Sequence, residues 1–335
     1  MCIAMKGKYK RVLSPLTVGS LTESFKKLFL LGLLIASLVS CQSNGPIKKP
    51  RVERTQYIMG TQAKLISESQ DLNYGSKVFA RLKLAESIFS NYDGNSVLNK
   101  WYLSPEMNLP EEFVFLVNES VRLCELTQGR FNIKVGHLVK DIYNFKSSKK
   151  LPPHQLVEDE VRRIQSCRIQ LKSLKKPPKL DFGALGKGYG LDLARTVISK
   201  GEQTIVSLSG DIFCQEECRF SLDKKGLAQK VNSEFKTCKP ESTISTSGNY
   251  RQYIGTPENN HIIDAKTGRP QRQTKSITIV GTGPSYLIDA WTTILSQMSL
   301  KERENISLTN LAWMHTSPQG KVTRSSNFSE FFCRP

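Results

Sequence analysis

Four segments of the chain carry residues that could do chemistry together. The first is Asp181-Phe182-Gly183-Ala184-Leu185-Gly186-Lys187-Gly188-Tyr189-Gly190. Glycines this dense strip side chains from a turn, so backbone N–H groups can approach an anion closely. A helix entered from such a turn adds partial positive charge and unpaired donors at its N-terminus, and Lys187 adds a full cation. This is chemistry for a diphosphate. It matches neither common nucleotide motif. A P-loop needs Gly where Asp181 stands and Ser or Thr where Gly188 stands, and the dinucleotide fingerprint needs Gly where Leu191 stands. The competing reading is a tight strand-to-helix turn whose glycines serve packing.

The second segment is Asp289-Ala290-Trp291-Thr292-Thr293. Asp289 and Thr293 stand at i and i+4, neighbours on one helical face. A carboxylate and a hydroxyl facing one point suit Mg2+, a hard cation that takes oxygen ligands and completes its octahedron with substrate phosphate and water. The bland reading is an ordinary helical Asp with a back-bonded Thr. The third is His261-Ile262-Ile263-Asp264-Ala265-Lys266-Thr267-Gly268-Arg269-Pro270. In an extended segment His261 and Ile263 share a face and Asp264 takes the other, while Asp264 to Gly268 reads as a turn. His261, with a pKa near neutrality, could serve as a general base. His137, His154 and His315 sit in no comparable setting. The fourth, Ile244-Ser245-Thr246-Ser247-Gly248-Asn249-Tyr250, offers hydroxyls beside a glycine, without the G-x-S-x-G elbow of a serine hydrolase.

These groups need elements to hold them. Lys77–Phe89 spaces Val78, Leu82, Ala85 and Phe89 at helical intervals, and Glu111–Leu126 does the same with Phe113, Leu116, Val117, Val121 and Cys124. Pro110 and two Glu residues mark the start of the latter. Helices are expected over Gly186–Ile198 and Ser285–Met298, and strands over Thr204–Leu208 and Ile277–Val280. Tyr57–Ile66 reads as a strand interrupted near a glycine. Strands alternating with helices predict a mixed α/β (α+β) layer architecture.

The N-terminal segment addresses the chain. Lys26-Lys27, the apolar run Leu28–Val39 and then Ser40-Cys41 read as n-region, h-region and lipobox. The run is too short to span a bilayer, which takes ~20 residues. The expectation is a lipoprotein signal peptide over 1–40, lipid on Cys41, a polar tether over 41–54 containing Pro46 and Pro50, and a folded domain over 55–335. The chain would then sit in a bacterial cell envelope, anchored to the lipid membrane through Cys41 and facing the periplasm. Gln42, in place of the Asp that signals inner-membrane retention, favours the outer membrane.

Hydrophobic residues make up 39% of the chain, enough for a core, which excludes a disordered protein. The net charge is +18, of which +13 remains outside 1–40. Such a balance favours anionic partners, but the basic residues are scattered and no basic motif is interleaved with aromatics, so no nucleic acid partner is expected. Cys124, Cys167, Cys214, Cys218, Cys238 and Cys333 form an even set in an exported chain. They permit disulfides in ~15 possible pairings.

Taken in order, the motifs resemble the ApbE family, the FAD:protein FMN transferases. The resemblance runs from about Tyr57 to Leu300. It rests on Met59-Gly60-Thr61, Tyr92 with Ser96 and Asn99, Thr127–Gly136, Asp181–Gly190, Ser209-Gly210-Asp211, Thr246-Ser247-Gly248, His261–Pro270 and Asp289–Thr293. It implies a two-lobed single domain with a flavin cleft between the lobes. It implies Mg2+-dependent transfer of FMN from FAD, the substrate, to a Thr or Ser hydroxyl of an acceptor protein, with release of AMP. By family position Asp289, Thr293 and the carbonyl of Ala184 would hold Mg2+. Met59, Tyr92, Arg130, Phe131, Asn132, Asp181, Lys187 and Ile263 would line the FAD site, and His261 and Lys187 would be catalytic. Two other outcomes share the same residues: an FAD pyrophosphatase giving FMN and AMP, and a lipoprotein that binds FAD without turnover. The chain departs from the family pattern at Asn132, where Asp is usual, at His137, at Tyr143-Asn144-Phe145, and in the short Cys-rich stretch after Asp211.

Overall fold

The β1–β2 unit shows how the chain's local chemistry sets its architecture. In a computed structural model, which describes residues 50–172, 176–222 and 234–335, Val52–Ile58 (β1) and Thr61–Ser67 (β2) form an antiparallel hairpin with Ile58 opposite Thr61. The two residues between them, Met59 and Gly60, have φ of 55° and 70°. Positive φ at both central positions is the type I′ pattern, whose twist matches that of the flanking strands. Tyr57–Ile66 is therefore two strands and a turn. β1 begins at Val52, so residues 52–54, expected in the tether, pair with Leu65–Ser67. Cys41 and the apolar run Leu28–Val39 lie outside the described residues.

The remaining elements follow in chain order. Helices α1 (Tyr74–Phe89), α2 (Val97–Leu103), α3 (Glu111–Leu126), α4 (His154–Ile164) and α5 (Gly186–Arg195) come first. Strands β3 (Thr204–Leu208), β4 (Asp211–Cys214), β5 (Arg219–Ser221), β6 (Glu234–Thr237), β7 (Ser242–Gly248), β8 (Ile263–Asp264), β9 (Arg269–Pro270) and β10 (Ser276–Thr282) come next. The chain ends with α6 (Ser285–Ser296), α7 (Leu300–Glu304), β11 (Leu311–Thr316), β12 (Val322–Arg324) and β13 (Phe332–Cys333). The α3 and β3 bounds are those expected, while α5 ends three residues before Ile198 and α1 starts at Tyr74 rather than Lys77.

Eight strands make one antiparallel sheet in the order β1-β2-β3-β4-β7-β10-β11-β12. Its central strands are buried on both faces, and alternate residues serve two cores. Ile277, Ile279, Leu311 and Trp313 face the helices, packing with Phe89, Phe113, Phe182 and Ile294. Val280, Ala312 and Met314 face a second cluster with Phe220, Phe235, Phe331 and Phe332. That cluster belongs to a small sheet, β13-β6-β5. The Cys-rich stretch after Asp211 thus covers the back of the main sheet, tied down by Cys214–Cys218 and Cys238–Cys333. Cys124–Cys167 joins the end of α3 to the segment after α4. All six cysteines of the domain are paired, and residues 50–335 pack as one unit of mixed helix and sheet.

Candidate functional site

Among the dense glycines, Gly188 does two jobs, one in packing and one in hydrogen bonding. Gly186, Gly188 and Gly190 lie inside α5 and are buried. A Cβ on Gly188 would stand 2.4 Å from the Ser285 carbonyl oxygen, so the close approach of the first turns of α5 and α6 requires glycine there. The Gly188 N–H, one of the donors that the first turn of a helix leaves free, donates to Asp289 Oδ2 at 3.0 Å. The anion at this helix N-terminus is the protein's own carboxylate.

That contact places Asp289 beside Lys187. Lys187 Nζ is 2.8 Å from Asp211 Oδ2 and 3.5 Å from Asp289 Oδ2. Asp211, at the start of β4, also accepts a hydrogen bond from Ser245 Oγ of β7. Both carboxylates are almost fully buried, whereas the Lys187 side chain keeps 29% of its surface open to the cleft. Burial opposes the Lys187 charge, but the two carboxylates outweigh it and hold the ammonium protonated. For Asp289 burial and the Asp211 charge act together and push its pKa up to about 7, against Lys187 and the Gly188 N–H. Two buried carboxylates sharing one ammonium leave an excess negative charge, which a cation or a proton must balance.

A cleft of about 1090 Å³ opens from this cluster. It is larger than the ~300–1,000 Å³ usual for small-molecule sites and so suits a dinucleotide-sized ligand. Met59, Tyr92, Arg130, Phe131, Asn132, Asp181, Ala184, Lys187, His261, Ile263, Asp289 and Thr293 all line it, with Ser209–Asp211 and Thr246–Gly248. Every site residue expected in the folded domain is thus brought to one place. Met59 is held there by its left-handed turn and by donation of its N–H to Glu86 Oε1 at 2.6 Å. Tyr92 stands on a loop built by the two residues that accompany it in sequence. Ser96 caps α2 and donates from Oγ to Ser90 O at 2.7 Å, and Asn99 donates to Ser90 O and Asp93 O. The Tyr92 ring is 70% exposed, with Lys140 and Lys146 ammonium groups 4.4 and 3.6 Å from its centroid. Arg130 pairs with Glu302 at 3.0 Å and lies 3.8 Å from Asp264, on the face opposite Ile263.

The His261 hydrogen bond fixes its chemistry. Nδ1 lies 3.1 Å from the Gln252 carbonyl oxygen, which can only accept, so Nδ1 carries the proton and Nε2 keeps a lone pair. Burial lowers the His261 pKa below the ordinary imidazole value, partly offset by the Gln252 carbonyl and Asp181. The ring is therefore a neutral base at pH 7. Asn132 is explained differently. Its Nδ2 donates to Ile164 O at 2.8 Å and Ser166 O at 3.4 Å, and its Oδ1 accepts from Lys134 N. Two carbonyl acceptors require an amide here, and a carboxylate could not replace it. His137 and His154 pair with Asp141 and Glu158 four residues on, and His315 is buried on β11 against Gln273 and Thr274, so none of the three joins the cleft.

Asp211 and Glu86 were not among the site residues expected. The signal for Asp211 was Ser209-Gly210-Asp211 after an apolar strand; for Glu86 no local signal exists. Among the described residues, no group of three or more His, Cys, Asp or Glu forms a metal cage. The candidate Mg2+ donors Asp289, Thr293 and the Ala184 carbonyl are all oxygens, the donor type Mg2+ prefers when substrate completes its shell. The excess negative charge at Asp211 and Asp289 suits a cation as well.

Comparison with known proteins agrees with this geometry. Among curated proteins, the FAD:protein FMN transferase of Escherichia coli strain K12 is 26% identical over 311 residues, 82% of this chain and 84% of that protein. The protein of the same name from Vibrio cholerae serotype O1 (strain O395) is 26% identical over 273 residues, 74% of this chain and 80% of that protein. Among solved structures, the ApbE protein of Thermotoga maritima superposes with a TM-score of 0.72 at 22% identity, over 84% of this chain and 99% of that one. The flavin transferase ApbE of Vibrio cholerae gives 0.66 at 22% identity, over 84% and 100%. Identities this low establish the fold. The description of the ApbE family matches residues 59–312, most of the folded domain and nearly all of the cleft, and on that match the chain belongs to the ApbE family.

Proposed function

We propose that this protein transfers FMN from FAD to a Thr or Ser hydroxyl of an acceptor protein, releasing AMP, with Mg2+ as cofactor. The observation that carries the reading is the convergence, in one dinucleotide-sized cleft, of a neutral His261, the oxygen donors Asp289, Thr293 and Ala184, and a carboxylate pair short of positive charge. The names of the relatives point the same way.

In this reading the acceptor hydroxyl oxygen attacks the phosphorus of the FMN half of FAD. The bond from that phosphorus to the bridging oxygen breaks, and AMP leaves with the bridging oxygen. His261 Nε2 takes the hydroxyl proton, while Nδ1 stays bound to Gln252 O and keeps the ring oriented. Asp289, Thr293 and the Ala184 carbonyl would hold Mg2+, which supplies Lewis-acid neutralisation of the diphosphate. Lys187 holds Asp211 and Asp289 in place and presents its remaining open surface to the phosphates. Phosphoryl transfer depends chiefly on such positioning and charge neutralisation. Met59, Phe131 and Ile263 offer apolar surface to the flavin, and Tyr92 offers a ring face at the rim.

The same reading places the protein in a bacterial cell envelope, lipid-anchored through Cys41 and facing the periplasm, with the outer membrane favoured by Gln42. Three disulfides support an oxidising compartment. Replacing Cys41 with Ser should release the chain from the membrane fraction; retention there would refute the anchor.

The deciding experiment incubates residues 41–335 with FAD, Mg2+ and a Thr-bearing acceptor protein, following AMP and flavin fluorescence on a denaturing gel. AMP with a fluorescent acceptor band is the expected result. AMP with free FMN alone, in the presence of a competent acceptor, would make the protein an FAD pyrophosphatase. FAD binding without AMP would make it a flavin-binding lipoprotein.

A further inference from the structure

Helix α6, which carries Asp289 and Thr293, has Pro284 at its N-cap position and no side-chain cap of its own. Its first N–H groups are satisfied from another helix. Asp192 of α5 accepts from Ser285 N at 2.7 Å on Oδ1 and from Tyr286 N at 2.9 Å on Oδ2. Arg195 braces this carboxylate at 3.4 Å and donates to Gly283 O at 2.6 Å, just ahead of the same helix. In the other direction, Asp289 of α6 accepts the Gly188 N–H in the first turn of α5. Each helix therefore caps the first turn of its neighbour with a carboxylate. The far end of α6 is held too. Buried Arg303 donates to Leu295 O at 3.2 Å, and Thr274 Oγ1 donates to Ser296 O at 2.6 Å. Negative charge at the N-terminus and positive charge at the C-terminus is the arrangement a helix dipole favours.

We propose that Asp192 is a positioning residue for the cleft: its cap on Ser285 and Tyr286 sets the register at which α6 presents Asp289 to Gly188 and Lys187. The geometric half of this claim stands on the hydrogen bonds alone; its consequence for metal rests on the function proposed above. A helix that slips by one residue moves ~1.5 Å and turns its side chains by ~100°. The Lys187–Asp289 contact, at 3.5 Å, has no slack for such a shift. Asp192 does not line the cleft, so its effect there is indirect and passes through the two helices it joins, α5 and α6.

The test uses Asp192→Asn in the full chain, which keeps the side chain's shape but leaves only one oxygen to accept. The control is Ile294→Val, a buried position on the same helix, which lowers stability without touching the cap. Amide hydrogen exchange is read at temperatures equally far below each variant's Tm. In Asp192→Asn the Gly188 amide, whose acceptor is Asp289, is expected to exchange at least tenfold faster than in Ile294→Val. Mn2+ binding in the presence of FAD is expected to weaken about tenfold in Asp192→Asn and to stay at the wild-type value in Ile294→Val. Equal Gly188 exchange in the two variants overturns the proposal, because Asp192 would then only stabilise. If Asp192→Asn does not fold, Asp192→Ser, with a single neutral acceptor, is read the same way. An absence of AMP release from wild-type protein would overturn the proposed function while leaving the Gly188 comparison intact.

Discussion

Lys187 and Asp211, 2.8 Å apart, form an ion pair that a second carboxylate, Asp289, joins at 3.5 Å from the ammonium. The pair comes from different layers, Lys187 from α5 and Asp211 from the sheet. One ammonium for two carboxylates is the electrostatic signature of the site.

This arrangement fixes the sign of a pH effect. Burial first, and then the Asp211 charge, raises the Asp289 pKa from 3.8 to about 7. Between those values the folded protein binds more protons than the unfolded chain, so the stability this group contributes is complete below about pH 4 and is lost as pH rises through about 7. Thermal unfolding of metal-free protein should show this fall. Asp289→Asn should remove it, Asp211→Asn should flatten it, and Mg2+ should restore stability at pH 8. A slope unchanged in Asp289→Asn would assign it to another group.

His261 titrates in the opposite sense. Its pKa is depressed by burial, so Nε2 remains a free base as pH falls from 7 through the ordinary value of 6.5. The acid limb of kcat/KM for flavin transfer should therefore lie below pH 6.5. His261→Asn can keep a donor toward Gln252 O but supplies no base. It should lower transfer by about 10²–10⁴-fold, the usual contribution of a general base, with FAD affinity within about threefold. Stopped-flow or steady-state profiles of both proteins check this, and full activity in the variant would remove His261 from the chemistry.

Asn132 gives a prediction against the family pattern. Restoring the usual acid, Asn132→Asp, would set a carboxylate against the Ile164 and Ser166 carbonyl oxygens in a buried position. The cost should be about 3 kcal/mol in unfolding free energy, from lost donors and buried charge. Denaturant titration measures it. A variant as stable as wild type would mean that the Asn132 hydrogen bonds are not needed.

Cys124–Cys167 closes a loop of 43 residues around the segment that contributes Arg130 to Phe145 to the cleft. In the chain-entropy description, opening a loop of that length costs about 4 kcal/mol. The double variant Cys124→Ala/Cys167→Ala should lose about that amount in equilibrium unfolding. A loss below about 1 kcal/mol would show that the packing of α3 and α4 holds this segment without the bond.

The residues themselves determined which elements form and which motifs belong together. The run Phe113, Leu116, Val117 and Cys124 marks one face of α3 because helical periodicity is a property of the local backbone, legible wherever the apolar positions repeat. Thr204–Leu208 was legible for a different local reason, as a short apolar β run ended by Ser209-Gly210-Asp211. The ordered motifs likewise pointed to one site, and each of them contributes residues to the same cleft. Other features lay beyond local pattern. The strand read as interrupted near a glycine is a hairpin because Met59 and Gly60 both adopt positive φ, which residue type alone does not dictate for methionine. Gly188 proved to be a packing residue because Ser285, far along the chain, approaches within reach of a Cβ there. The partner of Lys187, the acceptor of the Gly188 N–H and the pairing of six cysteines were all set by which surfaces meet. Charges and hydrogen-bonding groups act over a few ångströms in space, and only the packing of α5 and α6 on the sheet brings residues a hundred positions apart to that distance.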